Sequence, residues 1–176
     1  MAAMLTVQHF AYGSNMAATV LEGRRGVRPL SKQPAVVHGR RLAFSAIGLP
    51  PWEPAFASLD PSADPADCCH GVLYTLSLTD WARLCLSEGL PLGGYRVVTV
   101  TAVAYPPGGA APASRRGGAG GLEALSLAFE QPQTALGLPR RELTPSCRYM
   151  ALLRQGAAQA GLEEAWQRKL AALPCV

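Results

Sequence analysis

Apolar positions in this chain come in short runs separated by glycine- and proline-rich stretches, and their spacing switches repeatedly between the period of a strand and that of a helix. Residues 5–10 are apolar and partly alternating, which predicts a strand. Residues 17–22 have helix-forming character, so the stretch Phe10-Ala11-Tyr12-Gly13-Ser14-Asn15-Met16 between them reads as a tight turn from strand to helix. Gly13 tolerates backbone angles that a Cβ forbids, and Ser14 and Asn15 are residue types that cap a helix. Residues 22–29, punctuated by Gly23 and Gly26, predict a surface loop. Residues 35–47 read as extended structure bent at Gly39, with His38 at the surface. From 48 to 67 the prolines at 50, 51, 54, 61 and 65 predict a long loop, with Trp52 and Phe56 folding back onto the core or roofing a pocket.

Residues 70–76 predict a strand, and Thr79 or Asp80 can cap a helix over 81–86 that carries Trp81, Leu84 and Cys85 on one face and stops at Gly89. After a turn through Pro91 and Gly93-Gly94, residues 95–105 form the strongest strand pattern in the chain. Residues 106–121, rich in Gly, Ala and Pro and carrying Arg115-Arg116, predict a loop. Residues 122–129 return as a strand. Beyond a further proline-punctuated loop, 147–159 and 162–173 read as two helices divided by Gly161. In the second, Leu162, Trp166, Leu170 and Leu173 recur at core-packing spacing. No internal repeat is visible.

With 176 residues, 49% of them hydrophobic, one domain spanning 1–176 can bury a substantial core. No apolar run approaches the roughly 20 residues that span a bilayer, and the first residues lack the basic flank and long apolar region of a secretory signal. Five cysteines, Cys68, Cys69, Cys85, Cys147 and Cys175, are an odd number without metal-type spacing; free thiols in a reducing, cytoplasmic compartment account for them. The net charge of +4 comes from scattered pairs such as Arg24-Arg25 and Arg140-Arg141 without interleaved aromatics. That pattern argues against a nucleic-acid partner and for a positive surface that attracts anionic small molecules.

The turn at 12–15 leaves backbone N–H groups pointing outward at a helix start, a seat for a carboxylate or an oxyanion. Tyr12-Gly13-Ser14-Asn15 resembles the YGSN loop of the γ-glutamylcyclotransferase family. Gly71-Val72-Leu73-Tyr74, then Ser87-Glu88-Gly89, then Gly94-Tyr95 and a valine-rich strand are similar to that family's segment bearing a catalytic glutamate. Pro145-Ser146-Cys147-Arg148-Tyr149 with Gly156, Gly161-Leu162 and Gln167-Arg168-Lys169-Leu170 resembles the C-terminal helical hairpin of its vertebrate-type members. The ordered set spans nearly the whole chain.

The resemblance implies an α+β fold, a small strongly curved mixed sheet or barrel with helices packed outside. It also implies a reaction in which the α-amino group of a γ-glutamyl amino acid attacks its own γ-carbonyl, closing 5-oxoproline and expelling the amino acid with no cofactor or metal. Glu88 matches the acid/base, and Tyr12, Gly13, Ser14 and Asn15 the loop that receives the substrate carboxylate or oxyanion. Tyr149 would orient the glutamyl group, while Arg148 reads as a surface charge. One departure is Leu125-Ser126-Leu127, where the family commonly carries a tyrosine; Ser126 with a water would replace it, or the substrate range differs. A γ-glutamylamine cyclotransferase and a non-catalytic binding protein of the same fold are the alternatives. A cysteine-nucleophile enzyme is disfavoured, since no cysteine has a motif partner among His9, His38 and His70. The sequence carries no indication of oligomeric state.

Overall fold

Strand pairing starts at β1 (Thr6–Ala11), which lies antiparallel to β5 (Cys68–Ser77) with Thr6 opposite Ser77 and Ala11 opposite Val72. The computed structural model describes residues 5–93, 95–113, 120–129 and 142–176. On its other side β5 pairs with β2 (Ser31–His38), β2 with β6 (Tyr95–Ala104), and β6 with β7 (Leu122–Phe129), all antiparallel. β7 then returns beside β1 in parallel, His9 opposite Leu125, closing a five-stranded mixed barrel in the order β1-β5-β2-β6-β7. Closure leaves the barrel no edge strand. With its helices this is the α+β barrel that the resemblance implied.

The prolines between 48 and 67 misled the reading of a loop. β3 (Arg40–Leu49) and β4 (Glu53–Pro61) form an antiparallel hairpin, a separate two-stranded sheet. Each strand there is an edge, so a proline can occupy an unpaired side, and Pro50 and Pro51 fall in the turn. Phe56 packs edge-on against Tyr149 as expected, whereas Trp52 is 75% exposed and roofs nothing. His38 is buried and not at the surface, because β2 carries it into the ladder opposite Cys68.

The expected helix after the first turn is also corrected. Ser14–Met16 form one 3₁₀ turn and Thr19–Arg24 one π-helical turn. Tertiary hydrogen bonds compete with a regular helix here: the Tyr74 hydroxyl donates to the carbonyls of Asn15 and Met16, and Ala18 N–H goes to Gln159 Oε1 at 3.2 Å.

α1 (Leu78–Ser87) is capped by Ser77, whose hydroxyl accepts from Asp80 N–H at 3.1 Å, and not by Thr79 or Asp80. One residue therefore ends β5 and starts α1. α2 (Cys147–Ala160) and α3 (Glu164–Ala172) form the predicted pair around Gly161, with Leu162, Trp166 and Leu170 buried. α2 lies directly on the first turn. A Cβ at Gly156 would stand 2.6 Å from Met16 C and Ala17 N.

Cys147 and Cys175 form a disulfide, which corrects the expectation of five free thiols. Cys147 N–H donates to Val176 O and Val176 N–H to Pro145 O, folding the last residues back onto the start of α2. The cysteines thus lose their value as a marker of a reducing compartment. Gly94, Arg115-Arg116 and residues 130–141, with Arg140-Arg141 and most of the second proline-punctuated stretch, lie outside the described residues. Among the described residues, no helix is long and apolar enough to cross a membrane.

Candidate active site

Glu88 is the residue that follows α1, with φ −89° and its N–H still bonded to Leu84 O at 3.0 Å; Gly89, at φ 68°, then turns the chain away. The carboxylate is 15% exposed and sits where a helix dipole is unfavourable to negative charge. Two donors offset that misfit, both on Oε1. Asn15 Nδ2 approaches to 2.6 Å and Arg25 Nη2 to 2.9 Å. Arg25 Nη1 also donates to Ser87 Oγ at 2.8 Å, so its fork grips two successive residues at the helix end. Among the described residues Oε2 has no partner.

The 12–15 loop is built around the other wall. Tyr12 is buried and its hydroxyl donates to Leu127 O; Met16 N–H bonds Gly13 O and Ala17 N–H bonds Ser14 O, each at 3.0 Å. Neither Ser14 nor Asn15 caps a helix: no side-chain cap bond forms at this turn, and the Asn15 amide faces Glu88 instead. Without an α-helix behind the loop, the macrodipole share of the anticipated anion seat is absent. Arg25 supplies positive charge in its place.

Tyr149 is held at the start of α2, where Ser146 Oγ accepts its N–H at 3.0 Å. Its hydroxyl accepts from Ala57 N–H at 3.1 Å and stands beside Ser14. Burial pushes the Tyr149 phenol up to about 12, and burial also raises Tyr12 and Tyr95 well above the ordinary tyrosine value. All three are neutral hydroxyls at physiological pH.

Glu88, the 12–15 loop and Tyr149 line one cavity of about 310 Å³. The six residues that the resemblance assigned to the site are therefore brought together. Phe56 lines it too, as one of its two anticipated placements required. Arg25 and Tyr95 were not anticipated. Arg25 read as one of several scattered surface charges, and Tyr95, whose hydroxyl donates to Ala57 O at 3.1 Å, was part of the resembling segment at the start of a strand but carried no role in the site.

Ser126 does not stand in for the missing tyrosine. Its hydroxyl is fully buried and donates to Phe10 O at 2.7 Å, while Leu127 faces the cavity. Arg148 is largely exposed as expected. One cysteine has a histidine as a spatial neighbour, though not a motif partner: Cys68 Sγ lies 3.7 Å from His70 Nε2. Burial raises the thiol and lowers the imidazole to about 4, so the pair is neutral, and neither residue lines the Glu88 cavity. Among the described residues, no group of three or more His, Cys, Asp or Glu side chains is placed to hold a metal.

A closed barrel with one half-buried glutamate facing a Tyr-Gly-Ser-Asn loop defines a γ-glutamylcyclotransferase-like protein, and comparison with known proteins agrees. The chain is 30% identical over 170 residues to the γ-glutamyl cyclotransferase gliK of Claviceps purpurea, covering 90% of this chain and 66% of that protein. It is 29% identical over 168 residues to the γ-glutamyl cyclotransferase gliK of Aspergillus fumigatus, covering 87% and 57%. A solved structure described as a γ-glutamyl cyclotransferase superposes with a TM-score of 0.74 at 21% identity, over 98% of this chain and 90% of that one. No protein-family profile matches the chain. The chain belongs to the γ-glutamylcyclotransferase family, although it spans only 66% and 57% of the lengths of these two curated relatives.

Proposed function

We propose that the protein is a γ-glutamylcyclotransferase that converts γ-glutamyl amino acids to 5-oxoproline and the free amino acid. The observation that carries this reading is the Glu88 carboxylate on the wall of a cavity, anchored through Oε1 by Asn15 and Arg25 and without a partner on Oε2 among the described residues. A base fixed on one oxygen and free on the other is what the reaction needs.

The substrate brings its own nucleophile. Folding the glutamyl arm so that the α-nitrogen meets the γ-carbonyl exploits effective molarities that reach about 10⁵ M or more for well-oriented intramolecular attack. Glu88 Oε2 accepts a proton from the α-ammonium, the nitrogen attacks, and the lactam C–N bond forms. As the tetrahedral intermediate collapses, the bond to the leaving nitrogen breaks and Glu88 returns its proton to that nitrogen. The loop at 12–15, with the guanidinium of Arg25 beside it, receives the α-carboxylate or the developing oxyanion. Tyr149, a neutral donor, orients the glutamyl group. No step calls for a cofactor, and the reaction would run in the cytoplasm.

The test is 5-oxoproline release from γ-glutamyl-alanine by the wild type and by Glu88→Gln. General acid–base catalysis contributes about 10²–10⁴-fold, and a loss of that size is expected in kcat. Equal release by the two proteins would remove Glu88 from the mechanism.

A further inference from the structure

The cavity at Glu88 does not end at Tyr149. A second groove of about 390 Å³ runs on from it, sharing Ser14, Phe56 and Tyr149 as a common boundary and Arg25 as a common wall. Arg24 and Arg148 also line it, with Glu53 as its acidic member and Val20 and Leu152 as apolar ones. The positive groups there are not all spent within the protein. Arg25 is committed to Glu88 and Ser87. The Glu53 carboxylate is buried and accepts from both the N–H and the hydroxyl of Ser146, so its charge is largely satisfied at the start of α2. Arg148 Nη2 stands 3.8 Å from Glu53 Oε2, yet its side chain is 74% exposed. Arg24 is exposed and has no ion pair or hydrogen bond among the described residues.

A cyclising γ-glutamyl transfer divides its substrate into two parts. The glutamyl half must sit against Glu88, and the leaving amine must extend past the scissile carbonyl into adjoining space. Resting on the cyclotransferase reading above, we propose that the second groove is the leaving-group subsite and that Arg24 and Arg148 recognise a carboxylate on the leaving amine. Substrates whose amine carries an anion are then favoured, and γ-glutamylamines with a neutral or cationic leaving group are disfavoured by the same guanidinium pair.

The experiment compares γ-glutamyl-alanine with γ-glutamyl-alaninamide, which keeps the shape and removes the charge. The wild type is expected to prefer the acid in kcat/KM by about 10- to 100-fold, the scale of hydrogen bonds to a charged group. In the Arg24→Gln/Arg148→Gln double variant that ratio should fall to within about 3-fold. Because the ratio is taken within each protein, a general loss of folding moves both rates and leaves it unchanged. Equal use of both substrates by the wild type, or an undiminished preference in the double variant, would overturn the assignment. The same pair of compounds is titrated calorimetrically into Glu88→Gln and into Glu88→Gln combined with the two arginine substitutions. Should the wild type release no 5-oxoproline from either compound, the cyclotransferase reading fails. The groove is then judged by Kd alone: tighter binding of the acid that the arginine substitutions abolish supports it, and equal Kd values reject it.

Discussion

Asn15 shows how a residue can be found for the wrong reason. Its side chain type fits a helix cap, and the loop motif brings it to the site, but only the fold reveals that its amide reaches across to a carboxylate 73 residues away. Arg25 escaped notice for the same physical cause. A guanidinium in a glycine-flanked basic pair looks solvated until the chain folds it against the end of α1. Sequence alone holds no record of such a pairing. The Asn15 contact, 2.6 Å to a charged partner, is of the kind worth about 1.5–3 kcal/mol. Asn15→Ala is therefore expected to lower kcat/KM on γ-glutamyl-alanine about 10- to 100-fold and to lower the urea-unfolding free energy by no more than about 1.5–3 kcal/mol. An unaltered kcat/KM would mean that Arg25 alone orients Glu88.

At the level of elements, period and punctuation located β1, β5, β6, β7 and the α2–α3 pair close to their observed bounds. They failed where a local signal met a tertiary exception. Prolines exclude a central strand, but β4 has a neighbour on one side only, and its backbone still reaches the site: Ala57 N–H and O hold Tyr149 and Tyr95. The π-helical turn at Thr19–Arg24 likewise follows from bonds that Tyr74 and Gln159 make with nearby backbone, which no local propensity encodes. The seating of α2 on the 3₁₀ turn depends on Gly156. Its missing Cβ would meet backbone at 2.6 Å, and backbone cannot swing aside as a side-chain tip can. Gly156→Ala must lift α2 from the loop, at a cost of about 1–3 kcal/mol, and carry Tyr149 away from Ser14. Urea unfolding and kcat/KM should fall together in this variant; a stable, active Gly156→Ala protein would show that the helix can slide without disturbing the site.

For the molecule as a whole, the barrel gathers segments far apart in the chain into one site, and the family motif made the main members of that site legible without making the barrel order derivable. The cysteine count was misread because pairing depends on the last residues folding back against α2. Buried histidines carry a global consequence as well. His9 lies beneath Trp81 with its ring centroid 5.3 Å from the indole, donates from Nδ1 to Leu125 O at 3.0 Å, and is lowered by burial from 6.5 to about 4. His70, stacked on Trp166, is lowered to about 4 chiefly by burial. For both, the folded state binds fewer protons than the unfolded chain between about pH 4 and 6.5, so acidification favours unfolding. Stability is then full above pH 6.5 and declines as pH falls through that window, with the His9 share about 3 kcal/mol by its lower end. Asn at position 9 places an amide where Nδ1 stands but takes up no proton. The difference in unfolding free energy between wild type and His9→Asn, followed by urea denaturation from pH 7.5 to 4.5, should therefore shift steadily in the variant's favour as the acid side is approached. A difference that stays constant with pH would mean that His9 is as easily protonated in the barrel as in the unfolded chain.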